Sequence, residues 1–244
     1  MPFDFALVLV LGLVAGTLGG IVGFGTSIML MPALVLVFGP REAVPIMAIA
    51  SIMANASRVV AWWREVDWKA VAAYSVTGAP AAALGAATLL ALPSRAVEAA
   101  LGVFFIVMIP VRRWMARQQW RLSLGHMALL GAVIGFLTGI VVSTGPINAP
   151  FFLAYGLVKG AYLGTEALGS LAVYLAKAVA FRSLGALPLD AVGKGLVIGS
   201  SLVAGAFIAK RYVRQLDPQR FRLLMDGLLG VAGATMLWAA LFKA

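Results

Sequence analysis

Eight apolar runs divide this chain, at about 5–38, 43–63, 70–92, 96–111, 124–158, 162–185, 191–209 and 221–242, with short polar stretches between them. A single helical crossing of a bilayer needs ~20 predominantly apolar residues, and six of the runs are near that length. Such a chain cannot cover itself with polar surface. Hydrophobic residues make up 62% of it and charged residues 11%, against about half and a quarter in a soluble domain. The expected fold class is therefore an all-α integral membrane protein. The run behind Met1–Asp4 lacks a basic leader and is longer than a signal peptide, so it reads as mature membrane sequence.

The two long runs, 5–38 and 124–158, are rich in glycine and carry Pro32, Pro146 and Pro150. They read as broken or re-entrant hairpins, because proline removes a helix hydrogen bond. They are also related. An offset of 119 residues places Gly131, Gly135 and Gly139 on Gly12, Gly16 and Gly20, and Ile140 and Val141 on Ile21 and Val22. The same offset places Ala167, Ser170, Val179 and Ala180 on Ala48, Ser51, Val60 and Ala61. The chain thus reads as a duplication with halves 1–119 and 120–244 in one transmembrane domain. Each half consists of a broken hairpin and three transmembrane helices.

The net charge of +10 comes largely from short loops, and topology follows from it. Arg112, Arg113, Arg117 and Arg121 cluster in one linker, and Lys210, Arg211, Arg214, Arg220 and Arg222 in another. Basic loops between apolar runs face the cytoplasm, so these are topology anchors and no nucleic acid is expected as a partner. Three apolar runs separate the two linkers. Both linkers can share one side only if 124–158 makes no net crossing, as a re-entrant V or as two short helices spanning twice. The halves are then inverted relative to one another, an architecture of secondary transporters with a midplane site between broken helices.

Two groups of residues carry chemistry. The first lies in the hairpins: Gly25, Thr26 and Ser27, and Ser143, Thr144, Gly145 and Asn148. Irregular backbone at membrane depth is tolerated where it is buried in protein or lines a cavity, and freed N–H groups at a helix start bind anions. The glycines at 12, 16, 20, 131, 135 and 139 instead read as close helix packing. The second group is a helix face. Ser51, Asn55, Arg58 and Trp62 share a stripe, and the offset puts Ser170, Tyr174, Lys177 and Phe181 on its counterpart. Arg58 and Lys177 either neutralise an anionic substrate or reach headgroups from near helix ends. Glu166, three helical turns before Lys177 on the same face, either pairs with it, relays protons or marks the start of a helix.

The absences narrow the class. There is no cysteine and one histidine, and most of the nine acidic residues sit at segment boundaries. A cation carrier would bury several carboxylates, and a catalytic metal would need a ligand cluster. Neither a metal nor another cofactor is expected.

The string Gly-x-x-Gly-Gly-Ile-Val-Gly-Phe-Gly at 16–25, followed by Met31-Pro32-Ala33-Leu34, resembles the sulfite exporter TauE/SafE family, as do Gly-Phe-Leu-Thr-Gly … Gly-Pro at 135–146 and the chain length. Gly25-Thr26-Ser27 stands where that family usually has three glycines, which alters the backbone pocket. The resemblance implies a multi-pass carrier in a prokaryotic cytoplasmic membrane that moves sulfite, sulfonates or related carboxylates, with export the expected direction. The partners expected are the bilayer, a small anion and, as an option, a second copy of the chain. The driving force would be a proton or voltage gradient, with sodium as the alternative. An anion channel and a membrane-embedded enzyme are the rival readings.

Overall fold

The computed structural model describes residues 2–22, 26–115, 117, 121–140, 144–157, 159–212, 234 and 237–238. Within them the chain forms nine α-helices. The first long run breaks into α1 (Pro2–Val22) and α2 (Thr26–Phe38), and the second into α6 (Leu124–Ile140) and α7 (Gly145–Ala154). Between and after them come α3 (Pro40–Trp62), α4 (Trp68–Ala91), α5 (Ser94–Met115), α8 (Lys159–Ser183) and α9 (Leu189–Tyr212). The expected breaks are present, and the run at 221–242 falls almost wholly outside the described residues.

Local chemistry sets the ends. Asp67 caps α4, its Oδ1 accepting from the Lys69 and Ala70 amides at 3.0 Å. Gly39 has φ +76°, a conformation side chains rarely adopt, and Pro40 then opens α3. Helix α8 ends with Gly185 at φ +73°, its amide donating to the Arg182 carbonyl, while the Ala186 amide reaches back to the Phe181 carbonyl at 2.8 Å. That is a Schellman ending.

Among the described residues, four helical stretches are long and apolar enough to cross a membrane: Glu42–Glu65, Trp68–Ala91, Gly160–Ser183 and Leu189–Ala209. The polarity of the helices is reversed from that of a soluble protein. Val60, Val76, Val179 and Leu189 stand well exposed, while Asn55, Thr138, Asn148, Glu166, Ser170 and Lys177 are buried. Apolar surface outside and polar groups inside suit a lipid solvent.

The halves exchange helices. Helix α1 lies along α9, α6 lies along α4, and α3 and α8 pack on each other and on α9 and α4 respectively. The glycine stripes make these contacts. Gly12, Gly16 and Gly20 meet Ile198, Leu202 and Ala206; Gly131, Gly135 and Gly139 meet Tyr74, Gly78 and Ala82. The partners are 124 residues apart in every case. Ser201 against Gly12 and Thr77 against Gly131 repeat that separation. The packing reading of these glycines therefore holds: a β-carbon at Gly16 would lie 2.7 Å from Leu202 Cα, and one at Gly135 would lie 2.7 Å from Gly78 Cα. Thr77 Oγ1 also donates across the α4–α6 seam to the Ala128 carbonyl at 2.6 Å.

Candidate functional site

The starts of α2 and α7, the second helix of each long run, meet in the interior. Thr26 and Ser27 are the first residues of α2; Thr144 immediately precedes α7 and Gly145 is its first residue. All four line one cavity. Two helix N-termini therefore face the same space, each bringing the positive end of a helix dipole; on α7 the Ile147 and Asn148 amides already donate to the Thr144 carbonyl and Pro146 has no N–H, which leaves the Gly145 amide. Thr144 makes no side-chain cap on α7, and its hydroxyl instead bonds the hydroxyl of Thr138. About 40 Å³ of this space can hold the centre of a water molecule, room for roughly three such spheres, and hence for a small ion with few heavy atoms.

The facing helices supply the rest of the wall. Ser51, Asn55 and Arg58 enter from α3, and Glu166, Ser170 and Tyr174 from α8. Asn148 on α7 closes the set. Their hydrogen bonds form one network across both halves. Arg58 Nη1 donates to Glu166 Oε2 at 2.9 Å, and Arg58 Nη2 donates to Asn55 Oδ1. Asn55 Nδ2 in turn donates to the Ser51 carbonyl at 2.8 Å. Ser170 Oγ donates to Glu166 Oε1 at 2.7 Å, and Asn148 Nδ2 lies 3.5 Å from the same oxygen. Ser51 is 2% exposed and its hydroxyl has no hydrogen-bond partner among the described residues. A buried hydroxyl left so is costly, and this one opens on the cavity.

Of the residues singled out from sequence, eleven line this cavity. Gly25 and Ser143 lie outside the described residues. Lys177 does not line the cavity. It is buried, and its Nζ donates 2.6 Å to the Thr138 carbonyl near the end of α6 and sits 5.5 Å from the Phe181 ring centre. A cation on those last carbonyls offsets the negative end of the α6 dipole. Neither cation reaches outward to headgroups: the Arg58 side chain is only 13% exposed and is bound to Glu166. Glu166 thus pairs with the cation of the other half, not with Lys177 on its own helix.

Sequence reasoning missed two polar side chains of the wall. Tyr74 on α4 is fully enclosed, donates its hydroxyl to Asn148 Oδ1 at 3.1 Å and packs edge-on against Phe152. Thr138 lines the wall from α6. A phenol in the middle of an apolar run was the available signal for Tyr74, since a buried Tyr hydroxyl needs a partner.

Comparison with known proteins places these features in context. The sequence model of the sulfite exporter TauE/SafE family matches residues 8–236. A protein of Sinorhizobium fredii (strain NBRC 101917 / NGR234) described as "Probable membrane transporter protein y4hK" is 27% identical over 217 residues, covering 82% of this chain and 85% of its own length. No solved structure matches.

Proposed function

The chain belongs to the sulfite exporter TauE/SafE family, hence is a multi-pass membrane transporter and not an enzyme, and from that premise we propose that it carries a small oxyanion of the sulfite and sulfonate class across the cytoplasmic membrane. The observation that carries this reading is the convergence on one small cavity of two helix N-termini, Arg58 and Ser51, whose hydroxyl has no partner among the described residues. Backbone amides, Thr26, Ser27 and Thr144 would hold the oxygens, and Arg58 would offset the charge through charge-assisted hydrogen bonds. Lys177 supports the site indirectly, by neutralising the end of α6.

The halves act as inverted repeats that rock about this site. Support comes from the 119-residue duplication, the exchanged α1–α9 and α6–α4 pairings and the two basic linkers. The chain lacks cysteine, so single cysteines at Gln118 and Gln215 report orientation cleanly. Both should be labelled only after permeabilisation. Labelling of one alone in intact cells would remove the inverted arrangement.

The test of the transport reading is a thermal-shift screen of the purified protein against sulfite, methanesulfonate and acetate, followed by flux in proteoliposomes. A ligand at a hundred times its Kd stabilises by about 2.7 kcal/mol, a readily measured shift. Failure of all these anions to bind or move would overturn the reading. Saturable, counterflow-competent flux identifies a carrier, whereas unsaturable flux identifies the channel.

A further inference from the structure

Among the described residues that line the cavity, Arg58 and Glu166 are the charged ones. They neutralise each other across 108 residues of sequence, at 2.9 Å. Glu166 is 2% exposed and comes from the second half alone, because the 119-residue offset puts Met47 at its place in the first. An anion arriving here meets a cation already held by a carboxylate. If both bound Arg58, the enclosed site would carry an uncompensated negative charge, which a low-dielectric interior strongly opposes.

We propose that Glu166 is a proton-binding site and an internal competitor for Arg58, so that the transported anion binds together with one proton. The proposal rests on the transport reading above. The proton adds to the Glu166 carboxylate and makes a neutral acid, which releases the guanidinium to the incoming anion. The occupied cavity is then neutral again, with one cation and one anion. When the anion and proton leave, the carboxylate recaptures Arg58 and the empty carrier returns neutral.

The neighbours of Glu166 leave it the group that responds. From α3 it faces Arg58, which does not lose its proton. From α7 it faces Asn148, and behind that, on α4, Tyr74. From α8 it faces Ser170 and, within electrostatic range, Tyr162. Phenols ordinarily ionise only near pH 10. Lys177 stands eleven residues further along α8, roughly 16 Å at the helical rise, with its ammonium on the Thr138 carbonyl.

The coupling has a sign. A proton that strengthens anion binding is itself bound more tightly when the anion is present, by linkage. Proton and anion therefore travel in the same direction. An inward proton gradient drives uptake, and export requires an outward anion gradient that exceeds it.

The experiment uses the full chain in proteoliposomes with a pH-sensitive dye in the lumen and a methanesulfonate gradient. A sulfonate stays ionised throughout the neutral range, so any pH dependence belongs to the protein. The expected result is one proton entering with each anion, and an affinity that strengthens up to about tenfold per unit fall in pH, the limit for one linked proton. Glu166→Gln should bind methanesulfonate at high pH at least as tightly as the wild type, with a flat pH profile and flux free of proton movement. Anion flux without protons in the wild type overturns the proton site and leaves the transport reading standing. So does a pH dependence that survives in Glu166→Gln and disappears in Lys177→Met. If Glu166→Gln fails to fold, the wild-type proton count decides. Absence of flux for every anion tested overturns the transport reading itself, and this inference with it.

Discussion

The equivalent faces of α3 and α8 carry the same pattern to different ends. Ser51, Asn55 and Arg58 on α3 correspond to Ser170, Tyr174 and Lys177 on α8. Arg58 crosses into the other half and pairs with Glu166 at the cavity, while Lys177 holds a backbone carbonyl behind the wall. The side-chain chemistry matches these partners. A guanidinium presents a planar fork that can engage a carboxylate and the Asn55 amide oxygen together, whereas an ammonium is a compact point charge suited to a carbonyl. The 119-residue offset matches the two cations in position and in sign. What each cation does depends on what the opposite half places before it: Glu166 in one case, the last turn of α6 in the other.

The sharpest way to break this comparison is to remove each cation. Arg58→Met should weaken sulfite binding roughly ten- to a hundredfold, the worth of about 1.5–3 kcal/mol for a hydrogen bond to a charged group. It should also flatten the dependence of affinity on salt. Lys177→Met should leave affinity within about twofold and lower the melting temperature instead. Titration in detergent at several salt concentrations, beside a thermal melt, separates the two. Loss of affinity in Lys177→Met with none in Arg58→Met would reverse the assignment.

The glycine seams test whether the halves are mechanically alike. Gly16→Ala and Gly135→Ala each force a β-carbon onto partner backbone at the same 2.7 Å. Overpacking of this kind costs about 1–3 kcal/mol, and the losses in thermal stability should be similar. A large loss at one seam and none at the other would show that the exchanged pairings are not equivalent.

Smaller effects belong to the hydroxyls. Thr26→Val and Thr144→Val each remove one neutral hydrogen-bonding group, worth about 0.5–1.5 kcal/mol, so sulfite affinity should fall about two- to tenfold with expression unchanged. Thr144→Val should also leave Thr138 without its hydroxyl partner and lower stability slightly. If both variants bind within twofold of the wild type, these threonines serve the helices and not the ligand. Ser51→Ala should have the smallest effect on the fold, since its hydroxyl makes no internal bond to lose. Its whole effect should appear in affinity, and an unchanged Kd would remove Ser51 from the site.

Much of the architecture was legible because lipid-facing chains write their structure locally. The apolar runs give the helices, the glycine and proline clusters mark where α1 gives way to α2 and α6 to α7, and an unchanging offset of 119 residues relates the two long runs. Most of the cavity residues were also legible, since a hydroxyl, an amide or a charge in the middle of an apolar run has to face inward. The roles of those residues were not. Glu166 and Lys177 lie on one face of one helix, and that spacing suggested a pair; packing turned them to different partners. Tyr74 and Thr138 entered the wall only because α4 lies along α6, a contact between halves.

By itself, then, the sequence determined which segments form apolar helices, where one gives way to the next, that one offset of 119 residues recurs along the chain and which polar groups must be buried. All of these follow from hydropathy, backbone propensity and spacing along the chain. The tertiary structure alone decided that α1 pairs with α9 and α6 with α4, that Arg58 meets Glu166, and that Lys177 supports a helix end. Those outcomes depend on which surfaces fit at close range between residues as far apart in sequence as Gly12 and Ser201, and close fit is a property of the packed backbone that no local pattern encodes.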